Sequence, residues 1–306
     1  MNYILITGSS GFVGKNLTNF FDSKLIKLFS RLNGDEYNSI NYDYINNLNI
    51  STIIHLAGKS HDLKNICNSD EYYQVNTELT KKVVDNFIES DAKVLITLSS
   101  VKAVADKLDF ELTEEYKPNP LTHYGKSKLL AEQYILGKEI PEWKRIYILR
   151  PCMIHGPGNK GNLNLLFKIV SKGLPWPLGE FKNKRSFCSI DNLCFIINEL
   201  IENHNIPSGV YNIADDEPIS TNELINLISV GLGKKPNIWN VPQPLIKFFS
   251  KLGDVLRLPL NNERLNKLTE TYLVSNNKII SAINKPLPLT AKEGLIKTFN
   301  SFKTNV

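Results

Sequence analysis

Short, continuous apolar runs alternate with longer amphipathic stretches through the first half of the chain. Runs of this kind are typical of strands buried on both faces of a parallel sheet. They predict strands at Tyr3–Thr7, Leu25–Phe29, Thr52–Leu56, Val94–Leu98 and Ile146–Leu149. The amphipathic stretches predict helices at Val13–Phe21, Tyr72–Glu89 and Tyr124–Leu136. This alternation favours an α/β fold with a doubly wound parallel sheet of the Rossmann type.

The pattern changes after about residue 155. Glycine and proline residues mark loops, a helix is predicted at Leu163–Lys172, and helical periodicity dominates from Thr221 onward. Two further strands are predicted near Ser186–Ile190 and Val210–Ile213. We therefore expect a Rossmann domain over residues 1–160, to which these later strands return, and a smaller, mostly helical substrate-binding region over residues 161–306.

Charge and composition exclude several classes of protein. The 36 basic and 31 acidic residues give a net charge of +5, and they are spread along the chain, so nucleic-acid binding is not favoured. The four cysteines form no CxxC pair and no cluster with histidine. We therefore expect no metal site and a reducing compartment. Because neither a leader peptide nor a run of ~20 apolar residues is present, we expect a cytoplasmic protein.

The segment Pro244–Leu260 mixes aromatic residues, leucines and lysines. Such a segment can form a helix that lies on a membrane surface. Its periodicity is more typical of a stripe that packs on a partner helix or on the protein's own core. We therefore expect no firm membrane association.

Three glycines, Gly8, Gly11 and Gly14, follow the first predicted strand and open the first helix, with Phe12 and Val13 between them. Glycines at this point allow a tight turn, a close approach of the backbone to a pyrophosphate, and packing of the helix on the strand. The sequence therefore predicts a dinucleotide site. The alternative is a tight strand-to-helix turn that binds no ligand.

The end of the second strand bears on the choice of cofactor. A carboxylate there commonly accepts hydrogen bonds from the ribose 2′-hydroxyl of NAD, whereas this chain has Arg31, which can pair with a 2′-phosphate. We therefore expect NADP(H) to be favoured, with NAD(H) possible if Asp35 or Glu36 takes the carboxylate's place instead.

Tyr124 and Lys128 form a YxxxK motif in a predicted helix. Residues four apart share one face of a helix, so the phenol and the ammonium can reach the same site. A nearby ammonium lowers the pKa of a phenol and makes it a better proton shuttle. Ser99 and Ser100 follow the fourth strand, at the edge of the sheet where ligands bind in such folds. The alternative is a capping or core tyrosine beside a surface lysine.

These residues resemble the extended short-chain dehydrogenases/reductases, also described as NAD-dependent epimerases/dehydratases. The resemblance covers nearly the whole chain. It rests on the glycine loop, His55-Leu56-Ala57-Gly58, Asn76, Ser99-Ser100, Tyr124 with Lys128, Leu149-Arg150-Pro151 and His155-Gly156-Pro157-Gly158. Two runs, Ser99–Lys102 and Asn183–Leu193, are similar to bacterial 4-reductases of UDP-2-acetamido-2,6-dideoxy-hexos-4-uloses.

The resemblance implies roles for individual residues. It makes Ser100 the catalytic hydroxyl, Tyr124 the acid/base and Lys128 its modulator. The implied cofactor path comprises Gly8, Gly11, Phe12, Val13, Gly14, Arg31, Leu56, Ala57, Gly58, Asn76, Ser99, Lys128 and Pro151. The implied substrate contacts are Ser100, Lys102, Tyr124, Asn162, Leu178 and Arg185.

The sequence departs from the family pattern at two positions. Lys102 stands where 4,6-dehydratases carry a glutamate that abstracts a proton, which argues against dehydration. His155 replaces a tyrosine that is usual before Gly-Pro-Gly, and we expect it to be structural. The resemblance also implies that Arg185 helps to hold the UDP group, where its guanidinium can pair with phosphate oxygens. The alternative for Arg185 is an ion pair with Asp191.

The resemblance implies an NADPH-dependent 4-keto reductase of a UDP-activated 6-deoxy-N-acetylhexosulose, in the synthesis of bacterial surface polysaccharide. The first alternative is an NAD-dependent UDP-sugar 4-epimerase. A more distant one is a regulator that senses dinucleotides without catalysis. The expected partners are a UDP-sugar and a second copy of the chain in a homodimer.

Overall fold

The computed structural model describes residues 2–29, 40–59, 69–159, 161–256 and 261–303. Its strands are β1 Tyr3–Thr7, β2 Ile26–Phe29, β3 Ile50–His55, β4 Val94–Leu98, β5 Arg145–Pro151, β6 Met153–His155, β7 Phe187–Ser189 and β8 Gly209–Ile213. Six of them form one parallel sheet in the order β2-β1-β3-β4-β5-β8. Helices flank this sheet on both faces, which confirms the predicted doubly wound α/β fold.

The first five helices belong to the crossovers of this sheet. They are α1 Phe12–Phe20, α2 Tyr42–Asn47, α3 Ser69–Tyr72, α4 Leu79–Glu89 and α5 His123–Leu136. The later helices are α6 Asn162–Ser171, α7 Ile190–Glu202, α8 Thr221–Gly231, α9 Gln243–Leu256, α10 Asn262–Thr269, α11 Asn277–Ile283 and α12 Ala291–Lys303.

Successive strand residues point to opposite faces of the sheet, so a continuous apolar run supplies two cores at once. One row, Leu5, Ile53, Leu95 and Ile146, runs across neighbouring strands and packs with α4. The row of residues next to it in sequence, Ile6, Ile54, Ile96 and Tyr147, packs with α1 and α7 on the other face. The sheet is therefore covered on both sides, as the uninterrupted runs predict.

The helix predicted over Tyr72–Glu89 is interrupted by a π-helical segment, Tyr73–Glu78, in which the Leu79 amide donates to the Gln74 carbonyl. As a result, the predicted apolar stripe holds for Leu79, Val83 and Phe87 but not for Val75, which is only half-buried. Asn76 is fully buried instead. Such π-segments recur at functional sites because they re-aim side chains.

One of the two later strands joins the sheet and the other does not. β8 pairs with β5 and forms the edge of the main sheet. β7, the strand predicted near Ser186–Ile190, instead pairs with β6 in a separate two-stranded sheet. The expected return to the main sheet therefore holds for β8 but not for β7.

The C-terminal half has its own apolar core. It is formed by α6, α8 and α12, and its buried residues include Leu166, Phe167, Leu224, Leu295 and Phe299. In the part of the chain that the structure describes, every helix is too short or too polar to span a bilayer.

Candidate active site

The glycine loop lies at the carboxyl end of β1, where the strand order reverses between β2 and β3. Gly8 has a φ of +70°, and a Cβ at this position would lie 2.6 Å from the backbone nitrogen of Ala57. A Cβ at Gly14 would lie 2.6 Å from the Gly8 carbonyl oxygen. Both positions therefore require glycine, and Gly11 precedes α1 without any side chain to cap its first amides. Phe12 and Val13, both partly buried, begin that helix.

The carboxyl ends of the first three strands meet at this point. The Gly8 amide donates to the Phe29 carbonyl at the end of β2, and the Leu56 amide donates to Thr7 at the end of β1. Ala57 is buried against Gly8, whereas Gly58 is exposed. Arg31, together with Asp35 and Glu36, lies outside the described residues, so the preference for NADP(H) stays a prediction.

Asn76 joins the loop after β3 to α5. Its amide nitrogen donates to the Lys59 carbonyl at 3.1 Å and to the Ser127 hydroxyl at 3.0 Å, and its oxygen accepts from the Lys59 amide at 2.8 Å. A Cβ on Gly58 would lie 3.1 Å from both the Asn76 oxygen and the Lys128 Nζ. Asn76 therefore fixes the loop that faces Lys128.

Ser100 and Tyr124 come together at the carboxyl edge of the sheet. Ser100 follows β4, and Tyr124 lies in the first turn of α5, which Thr122 caps through the Gly125 amide. Burial raises the pKa of the Tyr124 phenol, and a hydrogen bond from the Ser100 hydroxyl opposes that rise. The Tyr72 ring contacts the Tyr124 ring edge-on, with centroids 6.2 Å apart. The phenol is thus held against the hydroxyl that the sequence predicts as its partner.

Lys128 lies one helical turn after Tyr124. Its Nζ donates to the Leu98 carbonyl at 2.9 Å. Burial lowers the pKa of the Lys128 ammonium from 10.5 to about 8, and the charge of Glu132 opposes that shift. Lys128 therefore loses its proton at a lower pH than an exposed lysine does.

A buried ion pair that sequence reasoning did not identify lies beneath Lys128. Arg150 Nε and Nη2 donate to the two carboxylate oxygens of Glu132 at 3.0 and 2.5 Å, and both side chains are almost fully buried. The Ser99 hydroxyl also donates to Glu132. A signal was available in the sequence, since Tyr124, Lys128 and Glu132 are each four residues apart on one helix.

Ser99 and Pro151, two residues of the cofactor path that the resemblance implies, are both buried. The Ser99 hydroxyl is engaged by Glu132, and its amide donates to Leu149. Pro151 is the buried last residue of β5. Their direct contact with a cofactor stays a prediction.

On the substrate side, the structure brings Lys102 and Arg185 together. Lys102 Nζ donates to the Asp106 carbonyl at 2.7 Å and lies 4.1 Å from the centre of the Tyr272 ring. Arg185 Nη2 lies 3.2 Å from Glu270 Oε1, so its ion pair is with Glu270. Burial lowers the pKa of both cations, and Arg185 lowers that of Lys102 further.

Asn162 and Leu178 lie elsewhere in the C-terminal half. Asn162 is the exposed first residue of α6. Leu178 is buried and bridges to Asn240. His155 is fully buried and hydrogen-bonds through Nδ1 to the Thr298 hydroxyl at 2.8 Å, as befits the structural role expected of it.

Among the residues that the structure describes, no three His, Cys, Asp or Glu side chains gather in a way that could hold a metal ion. The groups that the described residues bring to the sheet edge are the Tyr124 phenol, the Ser100 hydroxyl and the Lys128 ammonium. This set suits proton transfer to or from an oxygen atom.

Comparison with known proteins identifies the family. The family described as "NAD dependent epimerase/dehydratase family" matches residues 4–214. A UDP-glucose 4-epimerase of Vibrio cholerae is 29% identical over 98% of this chain and 95% of its own length. An N-acetyl-alpha-D-glucosaminyl-diphospho-ditrans,octacis-undecaprenol 4-epimerase of Escherichia coli O157:H7 is 26% identical over 96% of this chain and 93% of its own.

Among solved structures, MoeE5 in complex with UDP-glucose and NAD matches with a TM-score of 0.75 over 99% of both chains. Its 19% identity makes this a likeness of fold alone. The matched region contains the glycine loop, Ser100, Tyr124 and Lys128 in the order and places described above. The chain therefore belongs to the NAD dependent epimerase/dehydratase family and is an enzyme of the extended short-chain dehydrogenase/reductase type.

Proposed function

We propose that this enzyme is an NADPH-dependent 4-keto reductase of a UDP-activated 6-deoxy-N-acetylhexosulose used for bacterial surface polysaccharide. The observation that carries the proposal is the Tyr124 phenol, held by the Ser100 hydroxyl one helical turn from Lys128. A phenol and a hydroxyl that meet at one point can bind and protonate a single carbonyl oxygen.

The glycine loop fits a dinucleotide. Gly8 and Gly14 leave spaces that any Cβ would fill, so the backbone can approach a pyrophosphate at the start of α1. A bound nicotinamide dinucleotide supplies the hydride that the reduction requires. Arg31 remains the basis for proposing NADP(H) over NAD(H). The NAD in the MoeE5 complex supports a nicotinamide dinucleotide of either kind.

In this proposal, Tyr124 gives its phenol proton to the C4 oxygen and Ser100 orients that oxygen by a hydrogen bond. The Lys128 ammonium favours the phenolate that results. Burial raises the pKa of the Tyr124 phenol, and the hydrogen bond with Ser100 opposes that rise.

Lys102 and Arg185, with Asn162 and Leu178, are the proposed contacts to the UDP-sugar. The charge of Arg185 lowers the pKa of Lys102, so the two cations are near each other, which favours an anionic group between or near them. Lys102 brings no carboxylate to this place, in keeping with reduction rather than 4,6-dehydration. A homodimer through helices of the first domain is part of the same proposal.

A 4-epimerase is the second candidate. It is favoured by two relatives that match nearly the whole chain and are themselves named as 4-epimerases. Such an enzyme would remove hydride from C4, allow the keto sugar to rotate, and return hydride to the other face. It would use the same phenol, hydroxyl and ammonium.

The two candidates differ in net consumption of the cofactor. Purified enzyme is supplied with a UDP-4-keto-6-deoxy-N-acetylhexosamine and either NADPH or NADH, and the loss of reduced-nicotinamide absorbance is followed. We expect stoichiometric oxidation of NADPH and one C4 configuration in the product. Tightly bound NAD and interconversion of UDP-sugars without net oxidation would establish the epimerase instead.

A further inference from the structure

Helix α9 presents a row of large apolar side chains to solvent. Leu245, Phe248, Phe249 and Leu252 are spaced at i, i+3, i+4 and i+7, which places them on one face of the helix. Their exposed fractions are 46%, 62%, 49% and 40%. We call these four residues the α9 stripe.

The opposite face of α9 fixes the orientation of the stripe. Ile246 and Ser250 are buried, and the Ser250 hydroxyl donates to Asn262 Oδ1 of α10 at 2.6 Å. Asn262 Nδ2 in turn donates to Asp254 at 2.5 Å. The helix is therefore attached by its inner face, and packing on the protein's own core does not account for the stripe.

The sequence around the stripe is strongly basic. Residues 234–258 contain five basic residues, Lys234, Lys235, Lys247, Lys251 and Arg257, and one acidic residue, Asp254. Lys247 and Lys251 are exposed on α9 itself, to one side of the stripe. Apolar side chains bordered by lysines on one helix are the pattern of a helix that lies in the interface of an anionic membrane.

The size of the stripe also argues for a membrane rather than a second copy of the chain. Four half-exposed side chains of this type present about 400 Å² of apolar surface. A standard protein–protein interface buries roughly 800 Å² on each partner. The apolar side chains of an interfacial helix, in contrast, need only enter the boundary between headgroups and acyl chains, and binding is then weak and reversible.

The stripe lies close to the proposed substrate side. Gln243, at the start of α9, donates to the Glu180 carbonyl at 3.1 Å, and Asn240 bridges to Leu178. We propose that the α9 stripe docks reversibly on the surface of an anionic lipid bilayer. Docking there brings the segment around Leu178, one of the proposed substrate contacts, next to the membrane. The proposal does not depend on which sugar the enzyme accepts.

Vesicle flotation with the full chain tests this docking. We expect the protein to float with vesicles of phosphatidylcholine and phosphatidylglycerol and to bind phosphatidylcholine alone much more weakly. F248Q/F249Q should weaken binding to the mixed vesicles at least about tenfold, because two phenyl rings no longer enter the interface. The matched control L136Q/V230Q alters two exposed apolar residues outside α9 and should bind as the wild type does.

The contribution of charge is tested separately. K247E/K251E should lower the affinity for the mixed vesicles at least about tenfold, whereas K93E/K303E, which changes the net charge equally, should have a smaller effect. Circular dichroism confirms that each variant is folded. The proposal is overturned if the wild type does not float, if F248Q/F249Q binds like its control, or if sedimentation shows that the stripe instead joins two copies.

Discussion

At the scale of single residues, Tyr124 is subject to two opposing requirements. Its burial raises the pKa of the phenol, which keeps the proton on the oxygen. Release of that proton to a substrate needs groups that stabilise the phenolate. The Ser100 hydrogen bond lowers the pKa of Tyr124, and Lys128 is the second group that we propose for this role. The proposed role of Tyr124 therefore depends on this combination of residues, because the YxxxK spacing alone would not distinguish it from a structural tyrosine.

Removal of the phenol oxygen tests this combination. Tyr124→Phe keeps the ring and its contact with Tyr72 but removes the transferable proton, so we expect kcat to fall by roughly 10²–10⁴. The dissociation constant of the dinucleotide should be unchanged. Tyr73→Phe is the control, since the Tyr73 hydroxyl bonds to His123 outside the proposed chemistry. Turnover by Tyr124→Phe at the wild-type rate would exclude the assigned role.

Lys128 predicts a pH dependence with a defined sign. Because its pKa is lowered from 10.5 to about 8, the ammonium is present below this pH and is lost as the pH rises through it. We expect kcat to decline above about pH 8 in steady-state profiles. Between about pH 8 and 10.5 the unfolded chain binds the additional proton, so this group makes the free energy of unfolding rise with pH. A decline caused by Lys128 should therefore occur in protein that remains folded.

Glu132 should control where this decline occurs. Glu132→Gln removes the charge that raises the pKa of Lys128, so the alkaline limb of the kcat profile should move to lower pH. The variant also leaves Arg150 buried without its partner, at a cost of about 3–5 kcal/mol in stability. The double variant E132Q/R150M removes both charges and should show the same shift of the limb. An unshifted limb in both variants would make Glu132 purely structural.

At the scale of elements, the apolar runs were enough to predict most strands of the main sheet. Strands buried on two faces have a simple pattern, and β1 and β4 begin and end at the predicted residues. The π-segment Tyr73–Glu78 was not predictable, because one wider turn changes hydrogen bonding without changing the apolar composition. The partner of β7 was also not predictable, since strand pairing depends on contacts between residues far apart in sequence.

In the candidate site, too, motifs with short spacings could be predicted from the sequence, whereas contacts between distant residues could not. Short, regular spacings inside the glycine loop, and between Tyr124 and Lys128, made these two motifs visible in the sequence. The Glu132–Arg150 pair joins α5 to β5, and Arg185 pairs with Glu270 rather than with Asp191, its predicted alternative partner. Contacts between residues far apart in sequence depend on packing, which periodicity does not specify.

The glycine loop offers a test with an internal control. Gly8 and Gly173 have nearly the same φ, +70° and +71°, but a Cβ at Gly173 meets no atom within 4 Å. Gly173→Ala should therefore lower the free energy of unfolding in urea by about 1–2 kcal/mol, which is the cost of a left-handed backbone at a residue with a Cβ. Gly8→Ala should cost clearly more and abolish dinucleotide binding in fluorescence titration, because its Cβ meets Ala57. Equal costs with intact binding would show that the close approach is unimportant.

At the scale of the whole molecule, the proposed division into residues 1–160 and 161–306 is crossed by two elements. Helix α7 packs on the main sheet through Ile196 and Ile197, and β8 is the last strand of that sheet. The chain thus leaves the first domain after β5 and returns to it through β8. Asp215, two residues after β8, is where the returning chain meets the two-stranded sheet.

Asp215 collects several buried hydrogen bonds at this junction. Its carboxylate accepts from the Ser189 amide at 2.9 Å and from Asn192 Nδ2 at 2.7 Å, and it lies 3.4 Å from His155 Nε2. These partners belong to β7, α7 and β6. The His155 contact with Thr298 extends the network to α12. The carboxylate therefore holds the main sheet and the C-terminal half in one arrangement.

Asp215→Asn tests how much this arrangement depends on the carboxylate. The amide keeps the shape of the side chain but places an NH₂ group among donors, so we expect a loss of about 3 kcal/mol in the free energy of unfolding by urea. Asp191→Asn is the matched control on α7. Its ion pair with Lys297 lies at the surface and should contribute about 1 kcal/mol or less. If the two variants lose equal stability, Asp215 is not the point that joins the two halves. A larger loss for Asp215→Asn, with a single cooperative transition, would show that the halves unfold together because of this buried junction.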